Sequence, residues 1–255
     1  MNTLINFLLL IIPLVFFGCS KPSDTTLTNT NTGTGTLYFH LHTAIDSTEV
    51  AYGDTARNID GAKIILSLAQ FYISGIKLQK QDGSWLAVNG VYILKKVENE
   101  IYLIGNNIPV GNYLTVSFNI GIDSAANAKS PSSYPDSTNV LSPQNPSMWF
   151  GSVSQGYIFI NLQGAADTSS NKNGTCNVKF NYKIGSNSLL KNVILPQKSF
   201  SVSPGQTFYI HLYCDYGKLL QGVNFKTQTL TDTYTNNPAL AAQIATNFAG
   251  FIYYE

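Results

Sequence analysis

The chain has 255 residues, of which only 11% are charged, 15 Lys and Arg against 14 Asp and Glu. A formal net charge of +1 with no basic cluster excludes the grouped phosphate neutralisation that nucleic-acid binding requires, and no charge block marks an acidic or basic tail. The length suits one large all-β domain, and 15 Tyr and 14 Phe set among Ser, Thr, Asn and Gly fit an exported β protein better than a cytosolic enzyme.

Residues 4–17 form an apolar run as long as a signal-peptide core and too short for a comfortable membrane span. The run ends in Gly18-Cys19, a small residue before a cysteine, which resembles the lipobox of bacterial lipoproteins. Residues 1–18 are therefore read as a lipoprotein signal peptide and Cys19 as the lipidated first residue of the mature chain. Met1-Asn2-Thr3 carries no cation and Phe16-Phe17 is bulky, so an ordinary signal peptide with an incidental cysteine is the competing reading. Residues 20–36 are almost wholly Ser, Thr, Asn, Gly, Lys, Pro and Asp with no apolar period, a tether of roughly 20–25 Å reach. Lipidated Cys19 and this tether (19–36) would hold a folded domain over 37–255 at the outer membrane, facing the periplasm or the cell surface.

Period-two alternation then recurs. Leu37, Phe39 and Leu41 share one strand face, as do Leu114, Val116, Phe118 and Ile120, then Cys176, Val178, Phe180, Tyr182 and Ile184, and finally Phe208, Ile210, Leu212 and Cys214. Further strands are expected at 64–68, 71–79, 85–94, 101–104, 156–162 and 192–195, with turns at Gly83, Gly90, Pro109-Val110-Gly111 and Pro204-Gly205. The pattern predicts an all-β fold, an antiparallel β-sandwich. Residues 123–146 are too long for an ordinary connection and read as a capping or functional loop. Asn237-Pro238 gives an N-cap and a first-turn proline, and Leu240, Ile244 and Phe248 follow at intervals of four, with Gly250 closing one short C-terminal helix.

Cys176 and Cys214 both occupy inward-pointing strand positions of a protein expected in an oxidising compartment. A disulfide between them would close a loop of nearly forty residues and stabilise by roughly 3–4 kcal/mol. Two buried thiols packed as small hydrophobes are the alternative.

The chain has no G-x-S-x-G elbow, H-E-x-x-H, Walker loop, G-x-G-x-x-G or C-x-x-C, and the expectation is a protein that is not an enzyme. His40 and His42, two apart on a strand, project to one side about 6.5–7 Å apart and could converge on copper or zinc. Two solvated histidines on the wet face are the plain reading. His211 also points away from its strand's apolar face, between Tyr209 and Tyr213. Trp85, Trp149 and the tyrosines offer stacking faces for sugars or other flat ligands. A surface glycan- or protein-binding adhesion module without a metal is thus the second functional reading.

Four segments carry a resemblance: Ala69 to Leu78 followed by Asp82-Gly83; Ile108 to Tyr113 running through Val116 to Asp123 and Asn127; Met148-Trp149-Phe150 with Gly156 to Phe159; and Phe180 to Gly185. In this order they resemble the MbnP-like family, periplasmic or surface-exposed copper-binding proteins of the methanobactin system, over residues 37–195. The resemblance implies an exported β-rich domain that binds copper. It also implies a di-haem partner of the cytochrome c peroxidase type, which oxidises a tryptophan to kynurenine that helps hold the metal. By the same resemblance His40 or His42 is a ligand and Trp149 the oxidised tryptophan. The chain departs from the family pattern at Lys183, where F-x-x-H-x-G has histidine, at Ala128 after Asn127, and in having Trp149 directly after Met148 with no second tryptophan. A protonated lysine has no lone pair to offer a metal. The resemblance therefore implies an inherited fold and a copper site that is either reduced, binding weakly through His40 and His42, or lost.

Overall fold

The computed structural model describes residues 33–255, so the expected signal peptide, the lipidated Cys19 and most of the tether lie outside the described residues. In chain order the strands are β1 (Thr34–Ile45), β2 (Thr48–Glu49), β3 (Thr55–Arg57), β4 (Lys63–Lys80), β5 (Trp85–Ala87), β6 (Ile93–Lys96), β7 (Ile101–Pro109), β8 (Gly111–Ile120), β9 (Ile160–Ala166), β10 (Val178–Ile184), β11 (Lys191–Ile194), β12 (Phe200–Val202), β13 (Thr207–Asp215), β14 (Leu230–Asp232) and β15 (Ile252–Tyr254). The helices are α1 (Ser124–Asn127), α2 (Tyr216–Leu219) and α3 (Pro238–Thr246). The strands expected at 64–68 and 71–79 are one long strand, β4, and the one expected at 85–94 is two, interrupted at Asn89-Gly90.

Two sheets form the sandwich. The five-stranded sheet runs β15-β13-β1-β2, with β7 also on β1, and the ten-stranded sheet is built around β4, which pairs with β3, β5, β6, β8 and β9. The expectation of an all-β sandwich holds, but the sheets are mixed rather than purely antiparallel: β1 pairs β13 in parallel, and β10 pairs β14 in parallel. Alternation reports which face is buried and not which way the neighbour runs. A parallel pair needs a long crossover, and every strand of the ten-stranded sheet except β14 lies between β1 and β13 in sequence.

The inward residues are those the alternation marked. Leu37, Phe39 and Leu41 from β1, Ile210 and Leu212 from β13, Phe71 and Ile73 from β4, and Val116 and Phe118 from β8 join one core. Phe39 meets Phe118 edge-on, ring centres 5.9 Å apart. Helix α3 starts as expected: the Asn237 side chain accepts from the Leu240 amide, Pro238 takes the first turn, and Leu240, Ala241 and Ile244 enter the core. After Gly250 the chain continues into β15, which the sequence pattern did not reveal and which pairs antiparallel with β13.

The long 123–146 segment is a packed cap. The Asp123 carboxylate accepts from the Ala125 and Ala126 amides to start α1. Leu141, Met148, Tyr157, Ile158 and Phe159 form a second apolar cluster with Tyr72 and Leu94.

Candidate metal centre

The parallel register of β1 and β13 sets His40 opposite His211 and His42 opposite Tyr213. The three histidines therefore meet on the outer face of the five-stranded sheet, behind Leu37, Phe39 and Leu41. Ring centres of His40 and His42 are 4.0 Å apart, those of His40 and His211 4.8 Å, and those of His42 and His211 6.0 Å. The rings lean together from strand positions that alone would hold them further apart. His40 Nδ1 and His211 Nδ1 face each other at 3.1 Å.

Three carboxylates rim the imidazoles. Glu100 Oε2 lies 3.2 Å from His40 Nε2, Glu49 Oε1 3.1 Å from His42 Nδ1, and Glu255 Oε2 3.3 Å from His211 Nδ1 and 3.4 Å from His42 Nε2. Near as they are, the two oxygens beside His42 lie out of line for hydrogen bonding, and both His42 nitrogens are buried without a hydrogen-bond partner.

Each carboxylate is brought in by a nameable local device. Buried Asp215 accepts from the Asp46 amide at 2.8 Å and the Ser47 amide at 3.2 Å, the two left-handed residues of the turn that folds β2 back on β1 and presents Glu49. The same carboxylate accepts from the Gly217 amide at the start of α2 and from the Tyr253 hydroxyl at 3.0 Å, fixing the strand that leads into Glu255. Fully buried Lys95 donates from Nζ to Thr43 Oγ1 at 3.0 Å and to the Asn99 carbonyl at 2.8 Å, tying the turn before Glu100 to β1. Desolvation by burial lowers its pKa.

Of the histidines singled out in the sequence, His40 and His42 do converge, and His211 completes the set. Glu49, Glu100 and Glu255 escaped sequence reasoning. Glu49 follows a tight turn that the composition of 46–47 hints at, whereas Glu255 arrives only through β15.

Trp149 stands apart from this centre. It bridges to Tyr157, with ring centres 4.9 Å apart, and lines a cleft of about 230 Å³ with Tyr72, Ser132, Gln144 and Met148. No histidine and none of the three carboxylates lines that cleft. Burial raises the phenol pKa of both Tyr72 and Tyr157, which donate to the Val140 and Leu141 carbonyls. Lys183 sits in the ten-stranded sheet, paired with Asn161 and Asp232, and Ala128 caps the end of α1. The missing family histidines therefore do not empty the face that carries His40, His42 and His211.

Of the two readings open for Cys176 and Cys214, the structure has the free thiols and not the disulfide. Cys176 lies just before β10 in the ten-stranded sheet, near Asp167 and Lys63, while Cys214 is wholly buried in β13 of the other sheet, near Lys95 and Asp215. Inward-pointing positions on different sheets did not become neighbours. Burial pushes the Cys214 thiol up to about 12.

Fold and cluster together define a mixed β-sandwich protein with a histidine–carboxylate candidate metal centre on its smaller sheet. A family model described as MbnP matches residues 34–238, most of the chain, and the chain belongs to the MbnP family. Among solved structures, MbnP from Methylosinus trichosporium shares the fold, with a TM-score of 0.50 and 11% identity over 75% of this chain and 79% of that one. No curated protein sequence matches the chain.

Proposed function

We propose that this chain is an exported lipoprotein, tethered to the outer membrane through Cys19, whose MbnP domain binds copper through His40, His42 and His211. It acts as a binding protein and not as an enzyme. The observation that carries the reading is His42, a buried imidazole whose two nitrogens lack hydrogen-bond partners while two further imidazoles stand beside it. An unpaired buried polar group costs roughly 1–3 kcal/mol, and a bound ion would remove that cost. The donor set fits the metal: imidazole suits copper and zinc, and the surrounding carboxylates offset the ion's charge and orient the rings. When bound, copper supplies an electrophilic, redox-active ion. The chain's own residues hold it, with Glu100 fixing the His40 ring through Nε2.

Competitive copper titration of the full chain tests the reading. The His40→Ala/His42→Ala double variant is expected to lose the site, and Trp149→Phe to keep it. Identical stoichiometry and affinity in the wild type and the double variant would sink the assignment. Lipid attachment is checked separately by metabolic fatty-acid labelling, which Cys19→Ser should abolish.

A di-haem partner of the cytochrome c peroxidase type, if it acts on this chain, would act on half-buried Trp149 in its cleft, away from the copper. Peptide mass analysis after co-expression reads that modification. The cleft also favours a second reading, capture of a small flat ligand such as a sugar, because Trp149 and two tyrosines line it beside serine hydroxyls. Glycan binding that survives metal removal and is lost in Trp149→Ala would support it.

A further inference from the structure

The donors on the smaller sheet fall into two mutually close sets rather than one: His40, His42 and His211, and His42, Glu49 and Glu255. His42 belongs to both. Its residue is 8% exposed, and its two nitrogens diverge toward different neighbours, Nδ1 toward Glu49 at 3.1 Å and Nε2 toward Glu255 at 3.4 Å. One ion cannot use both nitrogens of an imidazole, because their in-plane lone pairs point apart. Neither nitrogen is occupied by a hydrogen bond.

We propose that this face is a two-metal centre, with His42 bridging a copper ion on the histidine side and a divalent zinc-like ion on the carboxylate side. The inference rests on the copper reading above and extends it. The first ion takes three imidazoles, His40, His42 and His211. The second takes the Nδ1 of His42 and Glu49, and Glu255, whose Oε2 lies beside His42 Nε2 and His211 Nδ1 on the copper side, reaches toward it from there. Glu255, within 3.4 Å of both His42 and His211, spans the boundary between the two ions. Imidazole suits copper and zinc alike, and zinc also takes carboxylate oxygens, so the mixed set of His42, Glu49 and Glu255 can hold a zinc-like ion beside a copper on the three imidazoles. Three carboxylates around the face, Glu49, Glu100 and Glu255, offset the charge of two cations. Binding the second ion displaces the remaining ring proton of His42, which leaves to solvent, and no electron is transferred.

The test loads the full chain with one equivalent of Cu²⁺, titrates Zn²⁺, and counts both metals per chain by elemental mass spectrometry. The wild type is expected to hold one of each. Glu49→Gln, on a half-exposed hairpin residue that leaves the core untouched, is expected to keep copper and weaken zinc at least tenfold. As a second readout, two equivalents of Cu²⁺ in the wild type should give less paramagnetic resonance intensity than two isolated coppers, because the bridging ring couples their spins. Copper-loaded protein that takes up no zinc, or a Glu49→Gln variant that binds zinc as the wild type does, overturns the two-metal inference alone. A chain that binds neither metal overturns the copper reading with it.

Discussion

The face that carries His42 and the cap that carries Trp149 treat their polar groups in opposite ways. Under the cap, the Tyr72 and Tyr157 hydroxyls each donate to a carbonyl, and Asn127 accepts from the Tyr157 amide at 2.7 Å while donating to Asn187. On the histidine face, rings and carboxylates crowd to within 3.1–3.4 Å, yet His42 remains unpaired. A buried region whose polar atoms are satisfied internally needs nothing from outside. One that leaves both nitrogens of a buried imidazole without a hydrogen bond carries a cost, which the proposed copper ion would remove.

The contrast can be broken most forcefully at Asp215, whose carboxylate holds both the β1–β2 turn and the strand leading into Glu255. Asp215→Ala should cost about 3–5 kcal/mol by stranding several buried donors, and should weaken metal binding at the same time, as read by denaturant melts and copper titration. Gly156→Ala should do only the first. Gly156 has φ of +76° and its Cα faces Asn127 so closely that a methyl group would overlap the side-chain amide. A loss of about 2–4 kcal/mol is expected, with copper affinity unchanged. Were copper binding to fall in step with stability there too, the two regions would not be independent.

Smaller effects sharpen the picture. Cys214, buried with its thiol held up to about 12, should resist alkylation in the native state, while half-buried Cys176 reacts slowly and both react after denaturation. A mass that shows neither free thiol after denaturation without reductant would contradict the separate placement. The least effect lies at Asp232, at the end of β14 where the turn to α3 begins. Partial burial raises its pKa, but hydrogen bonds from Thr235, Asn236 and the Tyr234 amide outweigh this and hold it at about 2, below 3.8. A carboxyl depressed on folding contributes stability above its unfolded value and loses it as pH falls through the folded one. Acid melts should therefore show a loss between about pH 4 and pH 2 that Asp232→Asn flattens.

Much of the fold was legible because burial follows alternation. The inward faces of β1, β8, β10 and β13 read directly from the sequence, and so did the Asn237-Pro238 helix start. What could not be read was partnership. Nothing in Phe208 to Cys214 says that β13 lies parallel to β1, and without that pairing His211 cannot be assigned to His40. The same gap left the pairing of the cysteines open, since two inward positions are equally consistent with one sheet or with two. Thr115 and Ser117, which alternate with the inward Val116 and Phe118, are buried too, with Thr115 donating to the Leu195 carbonyl at 2.8 Å. The family resemblance supplied the fold and pointed to the first strand. It led away from the third histidine, because the positions it marked, Lys183 and Ala128, lie off the face that the donors share.

X-ray absorption at the copper edge of the loaded full chain tests the central claim most directly, because it counts imidazoles on the metal. Three are predicted in the wild type and two in His211→Ala. A copper site whose imidazole count is the same in both proteins would contradict the assignment of copper to His40, His42 and His211.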